Sequence, residues 1–164
     1  MTDYTISKES FVAAWPEIEP LARMHFEETR ARFATEGMPM GAFNPRLDVY
    51  KKADEGEYLH TFVVRTETGQ AVGHSTVYIQ TDMHNRELIG KEDTIYIHPD
   101  HRNGVGRRLT KHILQFLKSQ GVVRATIDAR TDPRAVALWR RLGFKPVAEV
   151  MMITFEERSD EHAS

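Results

Sequence analysis

Apolar residues recur at helical spacing in the N-terminal part of the chain. From Phe11 to Ala31 they are separated by three, four or seven positions, with glutamate and arginine between them, which predicts an amphipathic helix within the first 40 residues. Pro16 and Pro20 lie inside this pattern, and we expect the helix to start late or to break there. Residues 37–45, rich in glycine, proline and methionine, predict a loop before a second, short helix.

Beyond the second helix, the pattern alternates between the period of strands and that of helices. Runs rich in β-branched and aromatic residues predict strands over residues 59–64, 71–79, 93–98, 122–128 and 147–155. Between the last three, apolar residues at helical spacing predict two helices, which end at Gly121 and Gly143. This order of elements predicts a three-layer α/β/α sandwich around a mixed, mostly antiparallel central sheet.

Composition narrows the functional classes. The 164 residues are enough for a single domain with its own core, and 40% hydrophobic with 28% charged residues is typical of a soluble globular protein. A net charge of −2 gives no general affinity for nucleic acid, and the absence of cysteine excludes disulfides, thiolate metal sites and a cysteine nucleophile. No apolar signal segment and no apolar run near the ~20 residues of a membrane span are visible, so we expect a cytoplasmic protein.

A glycine-containing loop leads into the helix that begins near Gly104. Backbone N–H groups at a helix N-terminus, together with the helix dipole, form a site suited to phosphate. Gly104 and Gly106 permit close approach of a ligand to the backbone, and Arg102, Arg107 and Arg108 add positive charge. The alternative is a glycine-eased turn followed by a solvated basic helix face. The loop lacks the Gly-Lys-Ser/Thr of a P-loop and the third glycine of a dinucleotide fingerprint.

Two motifs in register resemble those of the GNAT superfamily of N-acetyltransferases. The acetyl-CoA loop of that family, Gln/Arg-x-x-Gly-x-Gly/Ala, is similar to residues 101–106, with His101 where the family has Gln or Arg. Its second motif, Asn-x-x-Ala-x-x-Leu-Tyr-x-x-x-Gly-Phe, is similar to residues 132–144 at every spacing, with Asp132 in place of Asn and Trp139 in place of Tyr. The resemblance is firm from residue 93 to residue 155.

The resemblance implies an enzyme that transfers the acetyl group of acetyl-CoA directly to an amine, with no metal. The implied partners are acetyl-CoA and an amine-bearing acceptor, either a small molecule or a protein amine, and a homodimer is expected because many family members are dimers; no nucleic acid or membrane partner is expected. Residues 1–58 would form the helical acceptor-side region, residues 59–155 the sheet and CoA-binding core, and residues 156–164 a polar tail.

The resemblance also implies a set of cofactor-binding residues. The pyrophosphate would lie against the glycine loop and the helix that follows it, and the pantetheine arm beside the end of the preceding strand. We expect the set to comprise Ile97, His98, Arg102, Asn103, Gly104, Val105, Gly106, Arg107, Arg108, Asp132 and Trp139. In many relatives the tyrosine at the Trp139 position is thought to protonate the departing thiolate, but an indole N–H is too weak an acid, so Trp139 is expected to pack beside the pantetheine.

The amine must lose a proton before it attacks, which requires a nearby carboxylate or histidine. Glu92 and Asp93 lie at the start of the predicted strand that precedes the loop. Strict alternation places Glu92 on the same face as Tyr96 and His98, so we select Glu92 as the base; its alternative is an exposed charge at a strand end. His84, in the loop after the hairpin, is expected at the edge of the active site. The thiolate proton could come from Tyr96 or water, or no dedicated acid is needed.

Other hypotheses remain open at this point. The tryptophan at position 139 favours a CoA-binding regulatory or interaction module with weak or no catalysis. The basic face around Arg107, Arg108 and Lys111 could bind nucleic acid or protein, although the net negative charge argues against it. His98 and His101 lack a third metal ligand at motif spacing. A further histidine, His74, interrupts an apolar strand and is expected to be a hydrogen-bonded core residue; the alternative is a residue that lines the pocket.

Overall fold

A five-stranded sheet organises the computed structural model, which describes residues 3–128 and 133–155. Its strands follow one another in space as in sequence: β1 Tyr4–Glu9, β2 Leu59–Thr66, β3 Ala71–Thr81, β4 Leu88–Ile97 and β5 Arg124–Thr126. Each pair from β1 to β4 is antiparallel, and β5 runs parallel to β4. The predicted mixed, mostly antiparallel sheet is therefore confirmed.

Helices cover both faces of the sheet. The helices are α1 Phe11–Thr35, α2 Leu47–Glu55, α3 Val105–Ser119 and α4 Pro133–Arg141, with a short 3-10 turn at Pro99–His101 before α3. One apolar core joins α1 and α2 to the sheet through Ile18, Leu59 and Val63, and a second joins α3 to the opposite face through Phe62 and Leu109. The three-layer sandwich is confirmed. None of the described helices has the length and apolar character needed to cross a bilayer.

The first element is a strand, which the sequence interpretation missed. Residues 4–9 alternate in polarity and pair antiparallel with β2, with Tyr4 opposite Thr66. Ser10 then caps α1, since its hydroxyl accepts a hydrogen bond from the N–H of Ala13 (3.5 Å). The expectation of helix throughout the N-terminal region was wrong because a six-residue alternating run is too short to stand out beside a 25-residue helix.

The prolines of α1 do not break it, contrary to expectation. Pro16 and Pro20 lie four residues apart on the exposed side of the helix, whereas Ala14, Ile18 and Leu21 face the core. A proline leaves the carbonyl four residues earlier without its helical partner. On the exposed side water can bind those carbonyls, so the helix continues through both prolines.

The chain after α4 forms no strand over residues 145–155, so the strand expected over residues 147–155 is wrong. Val147, Met151 and Phe155 are 84%, 91% and 85% exposed. β-propensity alone does not make a strand, because the backbone needs a hydrogen-bonding partner along its length. The neighbouring edge strand, β5, offers only three residues.

Arg65 connects the end of β1 to α1 through hydrogen bonds to a glutamate on each element. Its guanidinium donates to Glu9 (2.9 and 3.0 Å) and to Glu17 (2.7 and 3.0 Å), and its side chain is 19% exposed. Arg65→Met is expected to lower the free energy of unfolding by about 2 kcal/mol, measured by urea denaturation at pH 7, because several charge-assisted hydrogen bonds are lost together. These bonds lower the pKa of Glu9, so the contribution persists at neutral pH and disappears only in acid.

Arg46→Met is the matched control for that measurement. Arg46 also makes a two-point ion pair, with Asp48, but both side chains are largely exposed. Solvent screens such a pair, so this variant should unfold like the wild type. Equal losses of stability in the two variants would contradict the role assigned to Arg65.

Candidate active site

β4 extends past its partner β5 and so has an open edge. The two strands pair over only three residues. The N–H of His98 bonds to the carbonyl of Val72 in β3 (2.8 Å), and successive strand residues direct their N–H groups to opposite edges. The N–H groups of Ile95 and Ile97 therefore point to the open edge, where Arg102 already donates to the carbonyl of Ile97 (2.9 Å). Such an edge can pair with an extended ligand arm.

A β-bulge in β4 changes which side chains face which helix layer. Thr76 of β3 lies opposite Thr94, and Val77 lies opposite Glu92, so Asp93 is the extra residue between them. The Asp93 carboxylate accepts a hydrogen bond from the Thr76 hydroxyl (2.9 Å), on the face covered by α1 and α2. Glu92 shares the other face with Val77, which belongs to the core beneath α3.

The strict alternation expected from the sequence is therefore wrong at this point. Tyr96 lies opposite His74 on the α1 and α2 face, together with Asp93, whereas Glu92 lies on the α3 face. Asp93 is also held on its face by the hydroxyl of Tyr50, which donates to it (2.8 Å). The criterion of a shared face with Tyr96 therefore favours Asp93, and the argument that remains for Glu92 is its electrostatic environment.

Glu92 lies where β4 and β5 separate. Its Oε2 accepts a weak hydrogen bond from the N–H of Asp128, two residues beyond β5 (3.4 Å). Burial raises the pKa of Glu92 to about 7, and the charges of Asp93 and Asp128 act in the same direction, against the N–H of Asp128. A carboxylate that titrates near neutral pH can accept a proton from a reacting group, which fits the predicted base.

The glycine loop opens α3 with its backbone uncovered. Gly104 caps the helix with φ +95°, and a side-chain carbon added there would meet nothing within 4 Å. At Gly106 the nearest atom to such a carbon would be Cγ1 of Ile97, at 3.8 Å. The first turn contains no acidic residue, and Arg107 and Arg108 follow, exposed. The geometry fits a phosphate bound to backbone N–H groups at a positive helix end.

Tyr4 of β1 anchors this loop, and sequence analysis did not identify it. Its hydroxyl is hydrogen-bonded to Nδ1 of His101 (2.9 Å) and accepts from the amide of Asn103 (3.3 Å), while Arg108 donates to its carbonyl (3.0 Å). Two members of the predicted cofactor set, Asn103 and Arg108, thus also hold the loop in place. No sequence signal links a tyrosine to a loop about 100 positions away.

Tyr96 is held in a cluster of charged and aromatic groups. Its hydroxyl donates to Glu28 (2.5 Å), the guanidinium of Arg102 lies over its ring (5.2 Å to the centroid), and the ring of His25 stacks on it (5.3 Å). Burial, with the hydrogen bond and charge of Glu28, raises the pKa of Tyr96 to about 12. The hydroxyl is therefore a weaker acid than an ordinary tyrosine.

A cavity of about 500 Å³ lies on the α1 and α2 face of the sheet. Helix α1, the loop before α2 and the sheet enclose it, and its aromatic lining consists of Phe11, Trp15, Phe26, Phe43 and Tyr50. Its wall on the sheet contains His74, Thr76 and Thr94. Because Thr94 follows the bulge, the cavity lies beside the part of β4 that has the open edge.

The sequence interpretation expected His74 to be hydrogen-bonded in the core, but its ring forms no hydrogen bond to any described residue. It is 2% exposed, and neither ring nitrogen finds a partner among the described residues. Burial lowers its pKa to about 4, so the imidazole is neutral at physiological pH. The side chain lines the cavity, and both nitrogens are themselves buried from solvent.

His84 is the predicted residue that the structure places away from this site. His84 is exposed in the turn between β3 and β4, at the opposite end of the ten-residue β4 from Ile97. Trp139 is buried in α4, where its ring contacts Phe144, and its Nε1 has no partner within the described ranges. Asp132 lies outside the described residues. Within the described part of the chain, no three metal-ligating side chains converge.

Comparison with known proteins identifies relatives of this architecture. The family model described as "Acetyltransferase (GNAT) family" matches residues 13–144. A mutant of the BH1408 protein from Bacillus halodurans has a TM-score of 0.76 at 18% identity, with 92% of this chain and 99% of that chain covered. No protein with curated annotation matches the sequence significantly.

Two further similar structures are of proteins whose names state an acceptor. An aminoglycoside acetyltransferase, meta-AAC0020, from an uncultured soil metagenomic sample has a TM-score of 0.68 at 20% identity, covering 93% of each chain. Ribosomal-protein-alanine N-acetyltransferase from Brucella melitensis has a TM-score of 0.67 at 16% identity, covering 93% of this chain and 99% of that chain. At these identities the likeness concerns the fold, and the two acceptors differ in chemistry.

Proposed function

The chain belongs to the GNAT family of acetyltransferases, and from that premise we propose that it transfers the acetyl group of acetyl-CoA to an amine. The observation that carries the proposal is a continuous arrangement of three features. The open edge of β4 leads to the uncovered N-terminus of α3, and the cavity lies beside the β4 bulge. The acceptor-side region then corresponds to the helices of residues 1–58, as the sequence suggested.

Acetyl-CoA would bind along the first two of these features. The N–H groups of Gly104, Val105 and Gly106 and the arginines after them would bind the pyrophosphate. The backbone of Ile97 and its neighbour His98 would lie beside the pantetheine arm, with the N–H of Ile97 directed to it. This places the thioester near the bulge, at the point where β4 and β5 separate.

The cofactor supplies an acetyl thioester, and the chain's residues prepare the amine that attacks it. Glu92 would take a proton from the acceptor ammonium, directly or through water, which leaves a neutral amine. The C–N bond then forms as the C–S bond breaks, and the second proton lost by the nitrogen passes, directly or through water, to the departing thiolate of CoA. A thiol with pKa near ~8.5 is a tolerable leaving group at neutral pH, so no dedicated acid is required.

The hydroxyl of Tyr96 is poorly placed to serve as that acid. It already donates to Glu28, and its pKa is raised. We therefore assign Tyr96 to positioning Arg102 and Glu28 beside the loop, and proton delivery from Tyr96 stays a sequence prediction.

A variant of Trp139 tests whether the departing thiolate needs a dedicated acid. Trp139→Phe removes an indole N–H that has no partner among the described residues but keeps an aromatic ring. We expect kcat to stay within about 3-fold of the wild type, because indole is not a practical acid at neutral pH. Steady-state kinetics with saturating acetyl-CoA would measure it. A loss above about 10-fold, with unchanged acetyl-CoA affinity, would assign Trp139 a direct catalytic role.

Calorimetry with acetyl-CoA, coenzyme A and ATP tests the proposed function first, followed by thiol release with a panel of amines. Saturable binding of acetyl-CoA together with amine-dependent thiol release is the expected result. Binding without thiol release from any amine would favour the second candidate, a CoA-binding regulatory module, which the absence of a family tyrosine at position 139 supports. No binding by a folded sample would contradict both.

A further inference from the structure

The lining of the cavity beside the β4 bulge distinguishes among amine acceptors. We propose that the acceptor is a small primary amine with a single positive charge, attached to an aromatic or similarly bulky apolar group. This inference rests on the acetyl transfer proposed above and adds the chemical class of the acceptor. The acceptors named for the two similar enzymes, an aminoglycoside and a ribosomal protein, do not belong to this class.

Stacked aromatic rings form one wall of the cavity. The ring of Phe11 stacks on Tyr50 (4.7 Å between centroids, 11° between planes) and on Trp15 (5.2 Å, 28°). All three rings line the cavity. Aromatic rings held in this way offer flat apolar surface at little cost in side-chain entropy, and they favour a ligand group that is itself flat or apolar.

The loop before α2 is fixed against α1, and the cavity that it borders has the size of a small-molecule site. Phe43 contacts the ring of Phe26 (5.4 Å), the guanidinium of Arg23 lies over Phe43 (4.7 Å), and Arg30 donates to the carbonyl of Met40 (3.1 Å). Phe26 and Phe43 both line the cavity. The volume of about 500 Å³ is within the range of small-molecule sites, about 300–1,000 Å³.

The lining of the cavity has too few negative charges to bind an acceptor with several ammonium groups. Among the described residues that line it, none is aspartate or glutamate, and the lining Arg46 is already paired with Asp48. The imidazole of His74 is neutral. An acceptor with several ammonium groups would bury charge without a partner, which is strongly unfavourable.

The sheet side of the cavity can receive a single amine. Thr76 and Tyr50 line the cavity and donate hydrogen bonds to Asp93, so one negative charge lies beside the bulge. The side chain of His74 lies in the same wall of the cavity, with both ring nitrogens buried and unpaired among the described residues. An amine at this end would have its apolar group against the aromatic wall.

The test compares four amines of contrasting chemistry in the thiol-release assay with acetyl-CoA. The probes are 2-phenylethylamine, spermidine, tobramycin and a short peptide with an N-terminal alanine. We expect kcat/KM for 2-phenylethylamine to exceed that for each other amine by at least about 10-fold, since each of the others buries an unpaired charge or lacks the apolar group. Equal or higher kcat/KM for tobramycin, spermidine or the peptide would overturn the proposal.

A pair of variants on α1 localises the effect to the cavity. Ala22 lines the cavity, so Ala22→Phe fills part of it, whereas Ala31→Phe makes the same change at an exposed position of the same helix. Ala22→Phe should raise KM for 2-phenylethylamine at least about 10-fold and leave acetyl-CoA affinity unchanged, whereas Ala31→Phe should change neither. An unchanged KM in a folded Ala22→Phe variant would contradict binding in this cavity.

Equilibrium binding separates failure of this inference from failure of the proposed function. If none of the four amines releases thiol, the acetyl transfer is contradicted, and calorimetry of the amines with the wild type and Ala22→Phe then decides the ligand class alone. Binding of 2-phenylethylamine at least about 10-fold tighter than that of spermidine, and lost in Ala22→Phe, would support the assigned class. Absence of such binding would overturn it.

Discussion

Gly104→Asp is expected to lower the affinity for acetyl-CoA at least about 100-fold, equivalent to about 2.7 kcal/mol. The residue has φ +95° at the N-terminus of α3, with open space where a side chain would begin. A carboxylate there would repel the pyrophosphate and occupy the surface against which it lies. The left-handed backbone adds a strain of about 1 kcal/mol, which acts on stability more than on binding. Calorimetric titration with acetyl-CoA would measure the effect.

Gly69→Asp is the matched control. Gly69 has φ +85°, lies in the turn between β2 and β3, and also has open space around the position of an added side chain. It therefore reproduces the backbone strain and the added charge at a distance from α3, and affinity should stay within about 2-fold of the wild type. If Gly104→Asp folds and keeps its affinity, the phosphate assignment is wrong.

Glu92→Gln is expected to lower kcat/KM by about 10²- to 10⁴-fold at pH 8, the usual contribution of a positioned general base. In the wild type the carboxylate accepts a proton only when it is ionised. With a pKa of about 7, it becomes protonated as the pH falls below 7, so kcat/KM should decline there and level off above it. The variant should lose this inflection. Profiles of kcat/KM between pH 5.5 and 9 would show both effects.

The stability of this variant should move in the opposite direction to its activity. The folded pKa of Glu92 is raised above its ordinary value of 4.5, so ionisation makes the wild type less stable as the pH rises from about 4.5 through about 7. The glutamine variant has no such loss, and its thermal midpoint relative to the wild type should be higher at pH 8 than at pH 4. Lost activity could then not be attributed to unfolding.

Asp93→Asn decides between the two adjacent carboxylates. Asp93 accepts from Tyr50 and Thr76 on the cavity face, so the amide variant weakens that network and lowers activity. If Glu92 is the base, the inflection near pH 7 persists in Asp93→Asn and is absent only from Glu92→Gln. Loss of the inflection in Asp93→Asn, with retention in Glu92→Gln, would transfer the role to Asp93.

Local motifs predicted most of the fold and the glycine loop at the start of α3, where the proposed cofactor site lies. The glycine loop leading to α3 could be found because its function depends on backbone conformation, and glycine at positions 104 and 106 is a direct sequence signal of that conformation. The mixed sheet followed from the order of runs with strand and helix periods. These features are encoded within about ten residues each, which a single sequence can show.

The acceptor half could not be predicted in the same way. A bulge adds one residue and leaves no motif, yet it moves Asp93 and Glu92 to opposite faces. The anchoring of the loop by Tyr4 and the hydrogen bond from Tyr96 to Glu28 join positions far apart in the chain. The unpaired nitrogens of His74 depend on what surrounds the side chain, which only the assembled fold determines.

The bulge also sets how this strand can evolve. The side chains of β4 alternate between the two helix layers, and the extra residue at the bulge shifts this alternation by one position. Each half of β4 therefore presents the correct side chains to each layer only because that residue is present. Loss of a single codon there would turn the first half of β4 over: Gly90, which lies against Leu117, would face α1 and α2, and Lys91 would enter the core beneath α3. Lineages of this enzyme should therefore accumulate substitutions in β4 while tolerating no change in its length.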